Sequence, residues 1–251
     1  MIDVVLPVYN QFQLVAQCVD CLLHSDRIGT VIVVDDASTD ESISELAEIR
    51  GVDYVRMPEN VGFVGAVNEG MRFVSTQYAV IVNSDTTPVH NQSLRDLVYT
   101  LDGKGMYVAG PKLLFMRGSK YGREGTVQHA GVAFGRDGVP YHPFMHLHRN
   151  TAAVNIEREV SAVTGAVMAV KAEAWQSIGG FDEHFAPGVY EDVDLCLRFG
   201  GALYAPNSEW YHLMHGSQTP GNDLFDNEQD HLEKLMRRWH PKCDEAIFYG
   251  V

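Results

Sequence analysis

The chain has 251 residues, of which 45% are hydrophobic and 21% are charged, and its formal net charge is −14. This composition excludes a disordered protein, and the length suits one large domain whose core needs no disulfides. The acidic balance argues against a broad nucleic-acid-binding surface, which requires clustered lysine and arginine. No apolar run reaches the roughly 20 residues that cross a bilayer, and no signal peptide is visible, so we expect a soluble cytoplasmic protein.

Strands and helices alternate through the first 110 residues. Apolar runs predict strands, and apolar residues at helical spacing predict the helices between them. The predicted strands are 2–8, 31–34, 53–56, 78–82 and 107–109, and the predicted helices are 10–24, 41–49, 64–73 and 93–101. This alternation predicts an α/β fold with a doubly wound, mostly parallel sheet flanked by helices. In such sheets ligands bind beyond the carboxyl ends of the strands.

The pattern changes after residue 110. Residues 111–160 contain several glycines, prolines and histidines without a sustained period, so we predict irregular or antiparallel structure that covers the site. Beyond them we predict a strand at 164–170 and helices at 171–178, 193–199 and 226–239. No linker or internal repeat divides the chain, which favours a single compact unit over residues 1–251.

The cysteines predict free thiols. Cys18 and Cys21 form a C-x-x-C pair, which is compatible with redox chemistry or with half of a zinc site. No second Cys or His pair follows at zinc-finger spacing, and the pair lies within the first predicted helix. Buried, reduced thiols are therefore favoured, and they fit a reducing compartment.

Polar residues follow two of the predicted strands. Asp35 and Asp36 come at the end of the second strand, and Asn83, Ser84 and Asp85 follow the fourth. A carboxylate in such a position can hold Mg²⁺ or Mn²⁺ through oxygen, and the ion can bridge to phosphates. Aspartate after a strand is also a common turn residue, so the pattern alone leaves both interpretations open.

A second acidic cluster, residues 191–194, precedes a predicted helix. Neighbouring carboxylates repel each other, which raises the pKa of at least one of them. The cluster could supply a general base or metal ligands, or simply favourable charge at a helix N-terminus. His212 and His215 follow a strand-like segment, and each is a candidate ligand or a structural histidine. No G-x-G-x-x-G follows the first strand, and neither a P-loop nor a G-x-S-x-G elbow occurs.

The chain carries an ordered series of short motifs, which are LPVYN at 6–10, VDDASTD at 34–40, NVGF at 60–63, NEG at 68–70, VNSDT at 82–86, GPKL at 110–113, TGA at 164–166, GGFDE at 179–183, EDVDLCLR at 191–198 and YH at 211–212 with His215 and Ser217. Taken in order, these segments resemble the family 2 glycosyltransferases of GT-A fold, especially the rhamnosyltransferase-like bacterial branch. The resemblance runs through most of the chain, and the ordered set is specific although each motif alone is weak.

The resemblance implies a nucleotide site in residues 1–110. Tyr9 would stack on the base, Asp36 would accept a base N–H, and Pro7 would shape the floor of the site. Asn68 and Ser84 would complete the nucleotide-binding set, with Asn68 facing the sugar diphosphate.

The resemblance also implies a divalent ion, Mn²⁺ or Mg²⁺, on the diphosphate. Asp85 matches the last aspartate of the family's D-x-D motif, whereas Asn83 stands in place of the first, so metal ligation depends more heavily on Asp85. His215 is the first candidate for a further ligand and His212 the second.

By the same resemblance, residues 111–251 form the acceptor and catalytic half. Asp192 would be the general base and Glu191 would hold acceptor hydroxyls, while Lys112 and Gly165 would contact the sugar diphosphate. The implied reaction is a single displacement with inversion, from a UDP-, GDP- or dTDP-linked sugar to a glycan, a lipid-linked glycan or another hydroxyl. A non-catalytic sugar-binding module and a transferase for a modified nucleic-acid base are the alternatives. Sugar-nucleotide synthesis is disfavoured because no glycine-rich basic loop follows the first strand.

Overall fold

The computed structural model describes residues 1–214 and 227–249, and within them ten strands form one mixed sheet. The strands are β1 (Ile2–Val8), β2 (Ile28–Asp35), β3 (Val52–Arg56), β4 (Tyr78–Val82), β5 (Thr86–Pro88), β6 (Val108–Phe115), β7 (Val127–His129), β8 (Ala133–Phe134), β9 (Pro140–Tyr141), β10 (Arg158–Val160), β11 (Val167–Lys171) and β12 (Ala202–His212). Strands β8 and β9 form a separate small sheet.

Seven α-helices accompany these strands in the described residues. They are α1 (Phe12–Leu23), α2 (Gly62–Gly70), α3 (Ser93–Tyr99), α4 (Ala172–Ile178), α5 (Glu191–Arg198), α6 (Glu228–Trp239) and α7 (Ala246–Tyr249). None of these helices is both long and apolar enough to span a bilayer. All four cysteines are free thiols, of which Cys18 and Cys196 are buried, Cys21 is half-buried and Cys243 is exposed.

The large sheet runs in the order β10-β12-β6-β11-β4-β1-β2-β3. Strands β3, β2, β1 and β4 are parallel, β11 is antiparallel to both β4 and β6, and β12 is parallel to β6. The sheet is buried on both faces because alternate residues of β1 enter different cores: Val5 packs into one, and Val4 and Leu6 pack into the other. The predicted α/β fold, a mostly parallel sheet flanked by helices, is confirmed.

Residues 41–48 form a 3₁₀ helix where an α-helix was predicted. Ile43 and Leu46 are its fully buried side chains, three residues apart, and Ile49 packs on the same core. A 3₁₀ helix brings residues at i and i+3 onto one side, so this geometry buries the whole apolar stripe of a short segment.

Strand β6 is longer than the sequence predicted, because it continues through Pro111 and Lys112 to Phe115. Proline cannot donate to a neighbouring strand, and it is tolerated in a sheet where pairing is irregular. Pro111 lies opposite Ala205, where the register of β12 shifts before resuming at Glu209. Residues 111–115 therefore belong to the sheet, whereas irregular or antiparallel structure was predicted from residue 111 onward.

Candidate active site

A cavity of about 210 Å³ opens at the carboxyl ends of the central strands. Asn83 and Asp85 reach it from the loop after β4, Leu113 from β6, and His212 from the end of β12. Strand β7, the segment before β11 and the first turn of α5 also contribute to its wall, with Gln128, His129, Thr164, Gly165, Ala166, Glu191 and Asp192. The carboxyl ends of parallel strands meet at one sheet edge, which is why groups so distant in sequence converge here.

Asp85 and His212 face each other across one side of the cavity. Asp85 Oδ1 lies 3.3 Å from His212 Nε2, and both side chains are largely buried. His212 Nδ1 lies 2.7 Å from Gln128 Oε1, and the tautomer with its proton on Nδ1 places the Nε2 lone pair toward the carboxylate. Two right-angled ligands at about 2.1 Å from one ion lie about 3 Å apart. The pair therefore fits a divalent cation.

Asp85 and His212 alone are an incomplete ligand set. No cluster of three or more His, Cys, Asp or Glu side chains suited to a metal occurs in residues 1–214 and 227–249. His215, the first candidate for the further ligand, lies outside the described residues. Mg²⁺ and Mn²⁺ accept oxygen ligands from waters and substrate phosphates, so a diphosphate would supply the missing donors.

A strained turn delivers the second acidic cluster to the opposite wall. Val189 and Tyr190 both have left-handed backbones, with φ of 76° and 69°. This conformation is a genuine outlier for a β-branched residue such as Val189, and strain of this kind concentrates at functional sites. Helix α5 starts directly after the turn, so Glu191 and Asp192 reach the cavity from its first two positions.

The Asp192 carboxylate is anchored by backbone donors on both oxygens. Gly165 N–H donates to Oδ2 at 2.7 Å, and Val193 N–H donates to Oδ1 at 2.7 Å. A side chain at Gly165 would place its Cβ 3.3 Å from Asp192 Cβ, so glycine allows this close approach. The Thr164 side chain and the N–H of Asp192 itself are further hydrogen-bond partners of this carboxylate, so several donors fix its orientation.

Glu191 is more deeply buried than its neighbour and is only 5% exposed. Burial, followed by the charge of Asp192, raises the pKa of Glu191 well above its usual range. Burial also raises the pKa of Asp192, although the N–H bonds from Gly165 and Val193 oppose it. Glu191 Oε2 has no hydrogen-bond partner within the described part of the chain. Glu191 therefore takes up the first proton of the pair.

Glu191→Gln is expected to stabilise the protein increasingly as pH rises. A group whose pKa is raised on folding contributes stability at low pH and loses it as pH rises through the folded-state pKa. Glutamine stays neutral, so the melting temperature of the variant relative to wild type should be higher at pH 8 than at pH 5. Differential scanning calorimetry at both pH values measures this difference.

Glu233→Gln on α6 is the matched control. Arg237 donates to Glu233 at 2.7 Å and holds the pKa of that exposed carboxyl below its ordinary value. The same substitution there removes a favourable contact, so its melting temperature should not rise. If the difference in melting temperature between Glu191→Gln and wild type is the same at pH 5 and pH 8, Glu191 is not a buried neutral carboxyl.

Asp194, the last acidic residue of the cluster, is structural. It is fully buried, and Arg198 Nε donates to its Oδ2 at 2.8 Å. Arg238 and Trp239 of α6 each donate to its Oδ1 at 2.9 Å. Asp194 therefore ties α5 to α6 and does not line the cavity.

Asp36 connects the end of β2 to the start of α2. Its two carboxylate oxygens accept the backbone N–H groups of Val61 and Gly62, at 2.7 and 2.9 Å. These are unsatisfied donors of a helix N-terminus, and an anionic acceptor there is favourable. The predicted contact with a nucleobase stays a prediction, and it would come in addition to this structural role.

The other predicted nucleotide contacts lie near the same sheet edge. Pro7 pairs with Val34 near the end of β1, and Tyr9 follows that strand and is partly exposed. Ser84 is buried in the loop after β4. In the described residues none of these three side chains lines the 210 Å³ cavity, and their roles toward a nucleotide stay predictions.

Asn68 does not line the cavity, and its contact with the sugar diphosphate stays a prediction. Its Nδ2 donates to the carbonyl of Phe181 at 3.0 Å, and its Oδ1 accepts the N–H of Phe181 at 3.0 Å. The amide thus pairs with a backbone unit and fixes α2 to the turn at residues 179–181. Asn68 borders a separate pocket with Glu69 and Arg72.

Lys112 also lies outside the lining of the cavity, and its contact with the diphosphate stays a prediction. Successive residues of a strand point to opposite faces, and Leu113 points into the cavity. Lys112 therefore points the other way, where it is 1% exposed. Its Nζ donates to Asn155 Oδ1 at 2.6 Å and to Glu209 Oε1 at 2.9 Å. The lysine is paired with the largely buried carboxylate of Glu209.

Lys112→Met is expected to lower the free energy of unfolding by about 1–3 kcal/mol, because Asn155 and Glu209 each lose a donor while Arg149 still pairs with Glu209. Nucleotide affinity of the folded protein should not change. Urea denaturation gives the first quantity and calorimetric titration gives the second. Lys104→Met, at an exposed pair with Glu157, is the control and should cost no more than about 1 kcal/mol. If folded Lys112→Met binds the nucleotide more weakly than wild type does, Lys112 contributes to the nucleotide site.

The sequence analysis missed Gln128, His129 and His142, which all line the cavity. Gly131 N–H donates to His129 Nε2 at 3.2 Å, so the Nδ1 proton of His129 points to His142 Nδ1, 3.0 Å away. Burial lowers the pKa of His142 to about 4 and that of His129 well below its ordinary value. Both rings are neutral at pH 7. The histidines were visible in the irregular stretch, but no periodicity indicated which of them meet.

The profile described as glycosyl transferase family 2 matches residues 3–157, which is more than half of the chain. The chain belongs to glycosyltransferase family 2. Two relatives illustrate the family. The O-antigen biosynthesis protein RfbC of Myxococcus xanthus is 28% identical over 78% of this chain and 16% of its own length. An N-acetylglucosaminyl-diphospho-decaprenol L-rhamnosyltransferase of Mycobacterium tuberculosis is 33% identical over 34% of this chain and 28% of its own length. The chain thus matches less than a third of either relative.

Solved glycosyltransferases share the fold of this family member. GalNAc-T7, solved with UDP, GalNAc and Mn²⁺, superposes with a TM-score of 0.73 and 15% identity, over 95% of this chain and 48% of that one. The mannosyltransferase PcManGT from Pyrobaculum calidifontis, solved with GDP-Man and Mn²⁺, superposes with a TM-score of 0.60 and 18% identity, over 86% of this chain and 58% of that one. Identities this low establish the GT-A fold and no more.

Proposed function

We propose that this chain transfers a sugar from a nucleotide-diphospho-sugar to an acceptor hydroxyl, with inversion and with the help of Mn²⁺ or Mg²⁺. The observation that carries the proposal is one cavity with the Asp85–His212 pair on one wall and Glu191 and Asp192 on another. Family membership supports the reaction class. The Mn²⁺ complexes of two proteins with this fold support the choice of metal.

Asp85 and His212 are the proposed metal ligands, since a carboxylate oxygen and an imidazole lone pair face the same point. When bound, the ion would neutralise charge that builds on the leaving diphosphate. Gln128 Oε1, 2.7 Å from His212 Nδ1, would favour a proton on Nδ1 and so leave Nε2 free to bind. Asn83 also lines the cavity, and its Oδ1 is a buried acceptor without a partner in the described residues.

Asp192 is the proposed general base. It would accept the proton of the acceptor hydroxyl as that oxygen attacks the anomeric carbon. A raised pKa suits this role because efficient bases titrate near the working pH. Glu191, which binds a proton more tightly, would hold an acceptor hydroxyl by hydrogen bonding. Gly165 N–H keeps the Asp192 carboxylate oriented during the reaction.

A panel of nucleotide sugars tests the proposal. UDP-, GDP- and dTDP-linked sugars are each added with Mn²⁺, and the melting temperature is recorded. A ligand that binds only the folded state raises the melting temperature, by an amount that follows its affinity. We expect one nucleotide class to stabilise the protein and the others to have little effect. Failure of every member of the panel to stabilise it would contradict a nucleotide-sugar site.

A further inference from the structure

Gln128 is a buried side chain with one engaged end and one unsatisfied end. It lies on β7, is 4% exposed and lines the active-site cavity. Its Oε1 lies 2.7 Å from His212 Nδ1. Its Nε2 has no hydrogen-bond partner in residues 1–214 and 227–249. Buried amide groups are almost always hydrogen-bonded, so an unsatisfied one at a cavity wall calls for a ligand.

The neighbouring histidines cannot supply the missing acceptor. His129 accepts from Gly131 through Nε2 and donates to His142 through Nδ1. His142 accepts at Nδ1, so its neutral ring carries the proton on Nε2. Neither ring has a lone pair to offer to the N–H groups of Gln128. Within residues 1–214 and 227–249 no acceptor faces these N–H groups, and a molecule in the cavity can supply one.

We propose that Gln128 joins the metal ligand to the sugar donor: Oε1 holds His212 with Nε2 toward Asp85, and Nε2 donates to an oxygen of the donor. The inference rests on the function proposed above and adds a residue to it. A phosphate oxygen and a sugar hydroxyl share the required acceptor chemistry. They differ in that a hydroxyl can also donate, whereas an ionised phosphate cannot.

Two substitutions separate the roles. Gln128→Met keeps the length of the side chain and removes both polar ends. Gln128→Glu keeps an acceptor for His212 Nδ1–H and removes the donor. Gln176→Glu, at an exposed position of α4, is the control for added charge. Melting curves establish that each variant folds.

Two titrations read out the roles without enzyme turnover. The free-Mn²⁺ signal in electron paramagnetic resonance reports metal binding. Calorimetry with Mn²⁺ gives the affinities for the nucleoside diphosphate and for the nucleotide sugar that stabilise the wild-type protein. Wild-type protein that binds neither molecule contradicts the proposed function itself, and this outcome is distinct from a failure confined to Gln128.

Gln128→Met should weaken Mn²⁺ binding by about 10–100-fold, the usual effect of removing a group that orients a metal ligand. It should also weaken nucleotide-sugar binding by about tenfold, as for the loss of one hydrogen bond near 1.4 kcal/mol. Gln128→Glu should keep Mn²⁺ binding. If the oxygen that Gln128 contacts is a sugar hydroxyl, Gln128→Glu should bind the nucleotide sugar more tightly than Gln128→Met does. Its affinity for the nucleoside diphosphate should then equal that of wild type. If that oxygen belongs to a phosphate, Gln128→Glu should bind both the nucleotide sugar and the nucleoside diphosphate more weakly than Gln128→Met does.

The inference is overturned if folded Gln128→Met binds Mn²⁺ and the nucleotide sugar as wild type does. It is also overturned if Gln128→Glu loses Mn²⁺ binding as completely as Gln128→Met, because the retained acceptor would then have no role.

Discussion

Replacing Asp192 with asparagine should lower kcat by about 10²–10⁴, the usual cost of losing general base catalysis. Asparagine has the same shape but cannot take the proton of the acceptor hydroxyl. The affinity for the nucleotide sugar should stay within a few-fold of wild type, since the base acts on the acceptor. Steady-state kinetics and calorimetric titration on the same preparation measure both quantities.

The structure provides an internal check on this variant. Asp192 accepts N–H groups from Gly165 and Val193, and an asparagine amide can accept only one of them. A modest fall in melting temperature is therefore expected in addition to the loss of kcat. If stability falls and kcat does not, Asp192 is only an anchor for α5, and Glu191 becomes the candidate base. If donor affinity collapses together with kcat, Asp192 contacts the metal or the donor.

The pH dependence of kcat/KM gives a second test of the base. A general base works when deprotonated, so the rate should rise with pH through its pKa. Burial raises the pKa of Asp192, which moves this rise toward neutral pH from the range of an exposed aspartate. The acidic limb should be absent from the residual activity of Asp192→Asn.

Asp85→Asn should remove the metal-dependent part of nucleotide affinity, a loss on the order of 100-fold or about 2.7 kcal/mol. The substitution leaves a side chain of the same size and removes the negative charge that a divalent ion requires. Calorimetric titration with Mn²⁺ and with EDTA should give nearly equal affinities for the variant.

Asp3→Asn is the matched control for Asp85→Asn. Asp3 is another buried carboxylate of the central sheet, but it lies near the start of β1 and accepts N–H groups from Thr30 and Ser75. Its substitution should lower the melting temperature and leave the effect of Mn²⁺ on nucleotide affinity unchanged. A persistent Mn²⁺ effect in Asp85→Asn would remove Asp85 from the metal site.

The strands that build the site were predictable because their sequences carry a local signal. Strand β4 is an uninterrupted apolar run that ends just before Asn83, and its predicted bounds match those observed. The first turn of α5 was predictable in position from its acidic residues, although the prediction started the helix two residues late, at Val193. For such elements burial on both faces dictates the residue types directly.

The direction in which individual side chains point was not predictable from the sequence. Lys112 was assigned to the site by its charge, but the extension of β6 beyond Pro111 turns it away. Asn68 belongs to a family motif, and only tertiary structure reveals that its amide pairs with Phe181. Gln128 lies at the cavity because the short strand β7 pairs with β6, and no periodicity in the sequence indicates that pairing.

Calorimetric titration of the wild-type protein with UDP, GDP and dTDP, in Mn²⁺ and again in EDTA, tests the central claim most directly. The claim is that the cavity between Asp85 and Asp192 is a metal-dependent nucleoside-diphosphate site. We expect one nucleotide to bind at least about tenfold more tightly with Mn²⁺, a difference of 1.4 kcal/mol or more. Equal affinities in Mn²⁺ and EDTA for the nucleotide that binds would contradict it.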